Sequence, residues 1–195
     1  MFVRQVHCHR LDELRQTEFP DVSCMPPALQ IRDFRATDDI GQITTLLHLA
    51  YAELAVAGFK YLATHQGDQI TLKRLTSGFP IVAELDGAIV GTLTLYPPQT
   101  DSRCTFYGQS GVFKLGQFGV LPELQRRGIG LSLFKEAESR VRGLGAIELA
   151  LDTAEGAIHL RQWYERLGFR FVEYVLLGRD ELSERRAFQT AKIAL

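Results

Sequence analysis

A chain of 195 residues with 46% hydrophobic and 23% charged side chains has the make-up of one ordinary globular domain, long enough to bury a proper core. Its formal net charge of −1 withholds the basic excess by which nucleic-acid binders hold phosphate, and no apolar run nears the roughly twenty residues of a membrane span. The start, MFVRQVHCHRLDELR, lacks the continuous hydrophobic segment of an export signal, so a cytoplasmic location and no membrane partner are expected.

Residues 1–27, closed by Met25-Pro26-Pro27, read as an N-terminal extension, helical around Leu11 to Phe19, ahead of a single domain over 28–195. His7-Cys8-His9 with Cys24 makes a poor zinc set, because neighbours on one strand point to opposite sides. Three unevenly spaced cysteines argue against a disulfide framework, and no metal is expected. Leu29 to Arg35 alternates apolar and polar as a strand does. Thr37-Asp38-Asp39 then caps a helix whose Ile40, Ile43, Leu47, Ala50, Tyr51 and Leu54 keep helical spacing until Gly58 breaks it. A second helix is expected between Gln69 and Leu75.

Pro80 to Tyr96 is the clearest hairpin, two β-branched runs joined at the tight-turn pair Asp86-Gly87 and ended by Pro97-Pro98. The connection Gln99 to Phe113 is polar and glycine-containing, and reads either as a substrate lid or as a disordered loop. From Leu115 to Val120 a strand leads through Leu121-Pro122 to Gln125-Arg126-Arg127-Gly128-Ile129-Gly130, and an amphipathic helix follows, with Ile129, Leu133, Phe134, Ala137 and Val141 on one face and a stop at Gly143 or Gly145. The start of that helix offers backbone N–H groups without intrahelical partners. Glycines 128 and 130 allow close approach, and Arg126 and Arg127 add charge, so a diphosphate suits the place. Neither standard nucleotide loop fits the spacing. Ile147 to Thr153 is a strand with Ile147, Leu149 and Leu151 on one face, made parallel to the one at 115–120 by the crossover between them. A helix over Ala157 to Leu167, turning Leu160, Trp163, Tyr164 and Leu167 inward, and strands over Phe169 to Leu177 and Arg186 to Leu195 complete the chain.

Val120-Leu121-Pro122 followed by Gln125-Arg126-Arg127-Gly128-Ile129-Gly130 resembles the acetyl-CoA pyrophosphate loop of the GNAT superfamily of N-acetyltransferases, Gln/Arg-x-x-Gly-x-Gly/Ala after a strand ending Val-x-Pro. A second block similar to the family's, Trp163-Tyr164-Glu165-Arg166-Leu167-Gly168-Phe169, follows about thirty residues on. The resemblance covers roughly 29–195 and implies an α/β (α+β) GNAT fold, a mixed central sheet flanked by helices whose two parallel central strands splay apart to admit pantetheine. It implies that Phe118, Gly119 and Val120 lie along pantetheine, that Gln125, Arg126, Arg127, Gly128, Ile129 and Gly130 hold the pyrophosphate, and that acetyl-CoA is the co-substrate. It further implies direct acetyl transfer to a primary amine of a small molecule or protein through a tetrahedral intermediate. Tyr164 would protonate the leaving thiolate, and a backbone N–H near Val120 would meet the oxyanion. Trp163 is assigned to the core. The two early helices would wall the acceptor site, with Tyr51, Glu53, Phe59 and Tyr61 as candidate contacts, and a homodimer is implied by the resemblance alone.

The chain departs from the pattern in two places. Where certain members carry a glutamate base it has Gln117, and Thr153-Ala154-Glu155-Gly156 lacks an asparagine that many have. Glu84, Asp152, Glu155 and His159 remain as candidate bases. A non-catalytic acyl-CoA-binding sensor is the alternative from another class, and transfer of longer acyl groups needs only a roomier tunnel.

Overall fold

In the computed structural model, which describes residues 4–9, 29–59, 61–102, 104–177 and 184–192, the elements run β1 (Arg4–His9), β2 (Leu29–Asp33), α1 (Ile40–Val56), α2 (Asp68–Thr76), β3 (Phe79–Leu85), β4 (Ala88–Tyr96), β5 (Val112–Val120), α3 (Ile129–Gly143), β6 (Glu148–Ala154), α4 (Ile158–Arg166), β7 (Phe169–Leu177) and β8 (Glu184–Lys192). The described residues group into two compact units, those of 29–96 with 116–139, and those of 4–9 with 97–115 and 140–192.

The unit holding 29–96 and 116–139 is an antiparallel sheet covered by helices. Asp39 opens α1: its Oδ1 accepts from the backbone N–H groups of Gly41 at 2.8 Å and Gln42 at 3.3 Å, which is the service an N-cap aspartate performs. The helix ends in a Schellman turn, Gly58 donating to Ala55 and Phe59 to Leu54, and Gly58 supplies the required left-handed backbone with φ 85°. Asp86 (φ 51°) and Gly87 (φ 82°) close the β3–β4 hairpin, so the Asp-Gly pair makes the turn its chemistry favours. The core joins Ile43, Leu46 and Leu47 of α1, Leu75 of α2, and Val82 and Ile89 of the hairpin. A side chain on Gly119 would start 3.0 Å from Ala50 Cβ, so the bare backbone of β5 lets α1 settle close. On the other face of β4, Gly91 leaves room for Leu133 of α3.

The unit holding 97–115 and 140–192 contains the parallel pairing that the crossover dictates: Val112, Phe113 and Lys114 of β5 lie opposite Glu148, Leu149 and Ala150 of β6. That ladder is three pairs long. β6 runs antiparallel to β8, and β8 antiparallel to β7. Its packing centre is Cys104, Tyr107, Val112 and Ala150, with Phe106 against it.

Several expectations change. Arg4–His9, read as part of a separate extension, is a strand paired antiparallel with β7, His9 opposite Phe169. Within the Gln99 to Phe113 connection, the described residues carry local structure that the sequence did not suggest: a 3-10 turn over Thr105–Gly108 buries Tyr107, and the Gln99 N–H donates to the Tyr107 carbonyl at 2.6 Å. The central strand begins at Val112, three residues before the apolar run suggested. Ile147 stands outside β6 and is 45% exposed, packed on the bare Cα of Gly111; both faces of β6 are buried, so alternation was the wrong guide there. Trp163 is half-buried, because it sits at the edge of the α4 contact whereas Tyr164 beside it is buried. The helix expected around Leu11 to Phe19, Cys24, the side chains of His7, Cys8 and His9, and the strand end at 193–195 lie outside the described residues.

Candidate active site

Between β5 and α3 the chain makes a 3-10 turn over Pro122–Leu124 and then crosses Arg126 at φ 61° and Gly128 at φ 83°, two left-handed steps just before α3 begins at Ile129. The first helical amide with an acceptor is that of Ser132, donating to the Gly128 carbonyl at 2.9 Å. The N–H groups of Ile129 and Gly130 precede it and by helix geometry have no partner within α3. Gly128 can adopt its backbone freely, whereas Arg126 holds a conformation costing about 1 kcal/mol for a residue with a Cβ. Arg126 and Arg127 are exposed, Ile129 anchors the turn in the core, and the Gln125 side-chain amide turns back to the Val120 carbonyl at 3.1 Å. The loop is thus tied to the end of β5. Exposed cations, glycine backbone and open helix amides fit a diphosphate.

Upstream on β5 lies a buried polar cluster. Gln117 is 2% exposed and takes φ 48°, a left-handed residue inside a strand. Its Oε1 accepts from Gln66 Nε2 at 3.3 Å, and its own Nε2 has no partner among the described residues. Gln66 is held on every side. Its amide also donates to Thr71 Oγ1 at 2.8 Å, its Oε1 accepts from Arg74 Nη1, and its carbonyl accepts from His48 Nε2 at 2.8 Å, which fixes the proton of that imidazole on Nε2. Thr71 Oγ1 is in turn 2.9 Å from Thr44 Oγ1. Thr94 Oγ1 and the Tyr96 hydroxyl, on the face of β4 turned to the helices, are buried without a hydrogen bond in strict geometry, although Thr94 and Arg74 stand beside the phenol. Burial raises the Tyr96 pKa and the nearby Arg74 charge only partly opposes it, so the phenol stays protonated.

Of the candidate bases, Glu84 accepts from Arg32 Nε at 2.7 Å, and Asp152 is engaged by Lys114 Nζ at 3.0 Å and by the Tyr107 hydroxyl at 3.1 Å, with Lys114 lying over the Tyr107 ring. Both carboxylates are therefore committed to ion pairs. His159 is exposed on α4, and Glu155 is half-buried, its carbonyl accepting from Arg161. The Tyr164 ring packs edge-on against Phe169 at 5.7 Å and tilted against Trp163 at 5.1 Å.

Residues 43–169, more than half of the chain, match the model of the acetyltransferase (GNAT) family. The chain belongs to that family. A curated relative, the S-(2-succino)cysteine N-acetyltransferase of Bacillus subtilis (strain 168), is 29% identical over 148 residues, covering 75% of this chain and 84% of its own. A GNAT family acetyltransferase from Elizabethkingia anophelis with acetyl-CoA bound superposes with a TM-score of 0.60 at 17% identity, over 86% of this chain and 99% of its own. The ribosomal-protein-S18-alanine N-acetyltransferase of Escherichia coli gives a TM-score of 0.64 at 15% identity, over 86% and 95%. The mixed α/β architecture is the GNAT fold, and this GNAT protein is an N-acetyltransferase.

Within this acetyltransferase, Tyr51 is half-buried and meets the buried Tyr61 edge-on at 5.2 Å, so these two named aromatics pack on each other, while Glu53 is exposed. Phe59 lines a shallow depression of about 330 Å³ with Ala55, Gly58, Thr64 and His65. Sequence reasoning missed Gln66, Arg74 and Tyr96. A signal existed for Tyr96 and Thr94, which with Thr92 make a run of polar-tipped residues at two-residue spacing on one face of β4; none existed for Gln66, which lies in an unpatterned loop.

Proposed function

We propose that the acetyltransferase works on the primary amine of a small molecule, with Gln125, Arg126, Arg127, Gly128, Ile129 and Gly130 holding the co-substrate's pyrophosphate and Phe118, Gly119 and Val120 running along its pantetheine arm. The observation that carries the cofactor assignment is the left-handed backbone of Arg126 and Gly128 ahead of open α3 amides, with two exposed arginines beside them. A small-molecule acceptor is supported by the Bacillus subtilis relative, whose name gives a cysteine derivative as the compound acetylated.

In the reaction, the amine lone pair adds to the thioester carbonyl, forming the C–N bond and a tetrahedral intermediate with charge on oxygen. The nitrogen releases its proton to solvent water, and collapse of the intermediate breaks the C–S bond. A backbone N–H near Val120 opposes the charge that develops on oxygen. Tyr164 gives its phenolic proton to the departing thiolate and regains one from solvent. Gln117 cannot itself take a proton near neutrality. Binding of acetyl-CoA followed by calorimetry, with thiol release measured on a panel of amines, tests the reading. Binding with release supports it, and absence of any acetyl-CoA binding overturns it.

A further inference from the structure

We infer that Arg74, Tyr96 and Gln117 form a subsite for a carboxylate carried by the acceptor, an inference that rests on the acetyltransferase activity and adds the chemical class of what is acetylated.

The argument begins with polar groups that the protein leaves unanswered. Gln117 Nε2 is buried without a hydrogen bond among the described residues, and the buried Tyr96 hydroxyl and Thr94 Oγ1 have no partner in strict geometry, with only each other and Arg74 close by. Such groups cost about 1–3 kcal/mol each when left unpaired, and native proteins tolerate few of them. Here three stand in one connected patch. Gln66 bridges Gln117 and Arg74 through its two amide atoms, and Arg74 and Thr94 both act on the Tyr96 phenol. Gly116 fits this arrangement, because a Cβ there would lie 2.8 Å from Cε2 of Tyr96 and push the ring off β5.

What the groups have in common decides the ligand. The free amide of Gln117, the protonated phenol, the threonine hydroxyl and the remaining guanidinium N–H groups of Arg74 can all donate. Arg74 is half-buried and makes no ion pair among the described residues, whereas Arg32 and Lys114 in similar settings each hold a carboxylate. An unopposed cation ringed by donors suits a group that only accepts and carries negative charge. A carboxylate meets both needs; an ammonium or a neutral amide meets neither fully. Gln66 acts as a positioning residue, since its carbonyl oxygen holds the guanidinium toward Gln117.

The test compares matched amines with and without the carboxylate: glycine against glycinamide, β-alanine against β-alaninamide, aspartate against asparagine and glutamate against glutamine. In at least one pair kcat/KM is expected to be tenfold or more higher for the carboxylate. Arg74→Gln should bring that ratio to about one while the KM for acetyl-CoA stays within twofold. Tyr96→Phe, which keeps the ring, should lower the ratio several-fold and serves if Arg74→Gln fails to fold. Acetylation with no carboxylate preference in any pair, or an equal loss on both members in the variants, overturns the inference and leaves the acetyltransferase intact. If no amine releases thiol, succinate titrated into wild type and Arg74→Gln decides the matter: at least tenfold weaker binding in the variant upholds the subsite, and equal or absent binding removes it.

Discussion

Arg32 grips Asp38 through two parallel hydrogen bonds, Nη1 to Oδ2 and Nη2 to Oδ1, each 2.9 Å, while its Nε donates to Glu84 at 2.7 Å. One guanidinium thereby ties β2 to β3 and to the residue ahead of the α1 N-cap. All three side chains are largely shielded from solvent. Removing Arg32 would leave the shielded Glu84 and Asp38 carboxylates without the guanidinium they share, so Arg32→Ala should cost about 3 kcal/mol in a denaturant titration. Arg32→Lys should recover only part of that, for want of the fork.

The same pair sets an acid limit. Burial alone would raise the Asp38 pKa, but the hydrogen bonds from Arg32 and from the Arg35 N–H outweigh it and the net shift is downward. A carboxyl with a folded pKa below its unfolded value of about 3.9 stabilises the fold above that pH, and the contribution disappears as pH falls through the folded pKa. Stability measured from pH 7 to pH 2 should therefore decline below about pH 4, and Asp38→Asn should flatten the decline.

Arg127→Glu places a like charge beside the expected pyrophosphate. The KM for acetyl-CoA should rise tenfold or more with little change in melting temperature, since the side chain is exposed. An unchanged KM removes the phosphate assignment from the loop.

Tyr164→Phe keeps the ring that packs on Phe169 and Trp163, so the fold should survive. Turnover should drop by roughly 10²-fold, the scale of a lost general acid, with acetyl-CoA affinity held within a few-fold. Full activity would return Tyr164 to a purely packing role.

Cys104 is a free, buried thiol whose pKa is pushed up to about 11, chiefly by burial, with Glu173 adjacent. Alkylation mapped by peptide mass should spare Cys104 at pH 7.5 in the native protein and modify it fully in denaturant. Rapid native labelling would mean that the Tyr107 turn opens readily.

Local chemistry was readable wherever a few adjacent residues settle the outcome. Asp39 as a cap, Asp86-Gly87 as a turn and the glycine-containing approach to α3 each carry their own geometry. The turn at Thr105–Gly108 escaped because polar neighbours disguise Tyr107 and Cys104, whose burial comes from β5 and β6 rather than from any periodicity. β6 misled for a related reason: buried on both faces, it has no alternation to read, and Ile147 owes its place to a glycine thirty-six residues earlier. The Gln117 cluster was least accessible, because Gln66 and Arg74 come from a loop and a polar helix, and only the folded sheet brings them to β5.

The turn before α3 bears on timing as well as affinity. Arg126 and Gly128 hold left-handed dihedrals in a turn braced by the Gln125 amide on the Val120 carbonyl and by the buried Ile129. An anion docking there need not wait for the loop to rearrange, so rapid-mixing traces of co-substrate capture should be single-exponential, with a rate that climbs linearly with concentration and drops as added salt screens the two arginines.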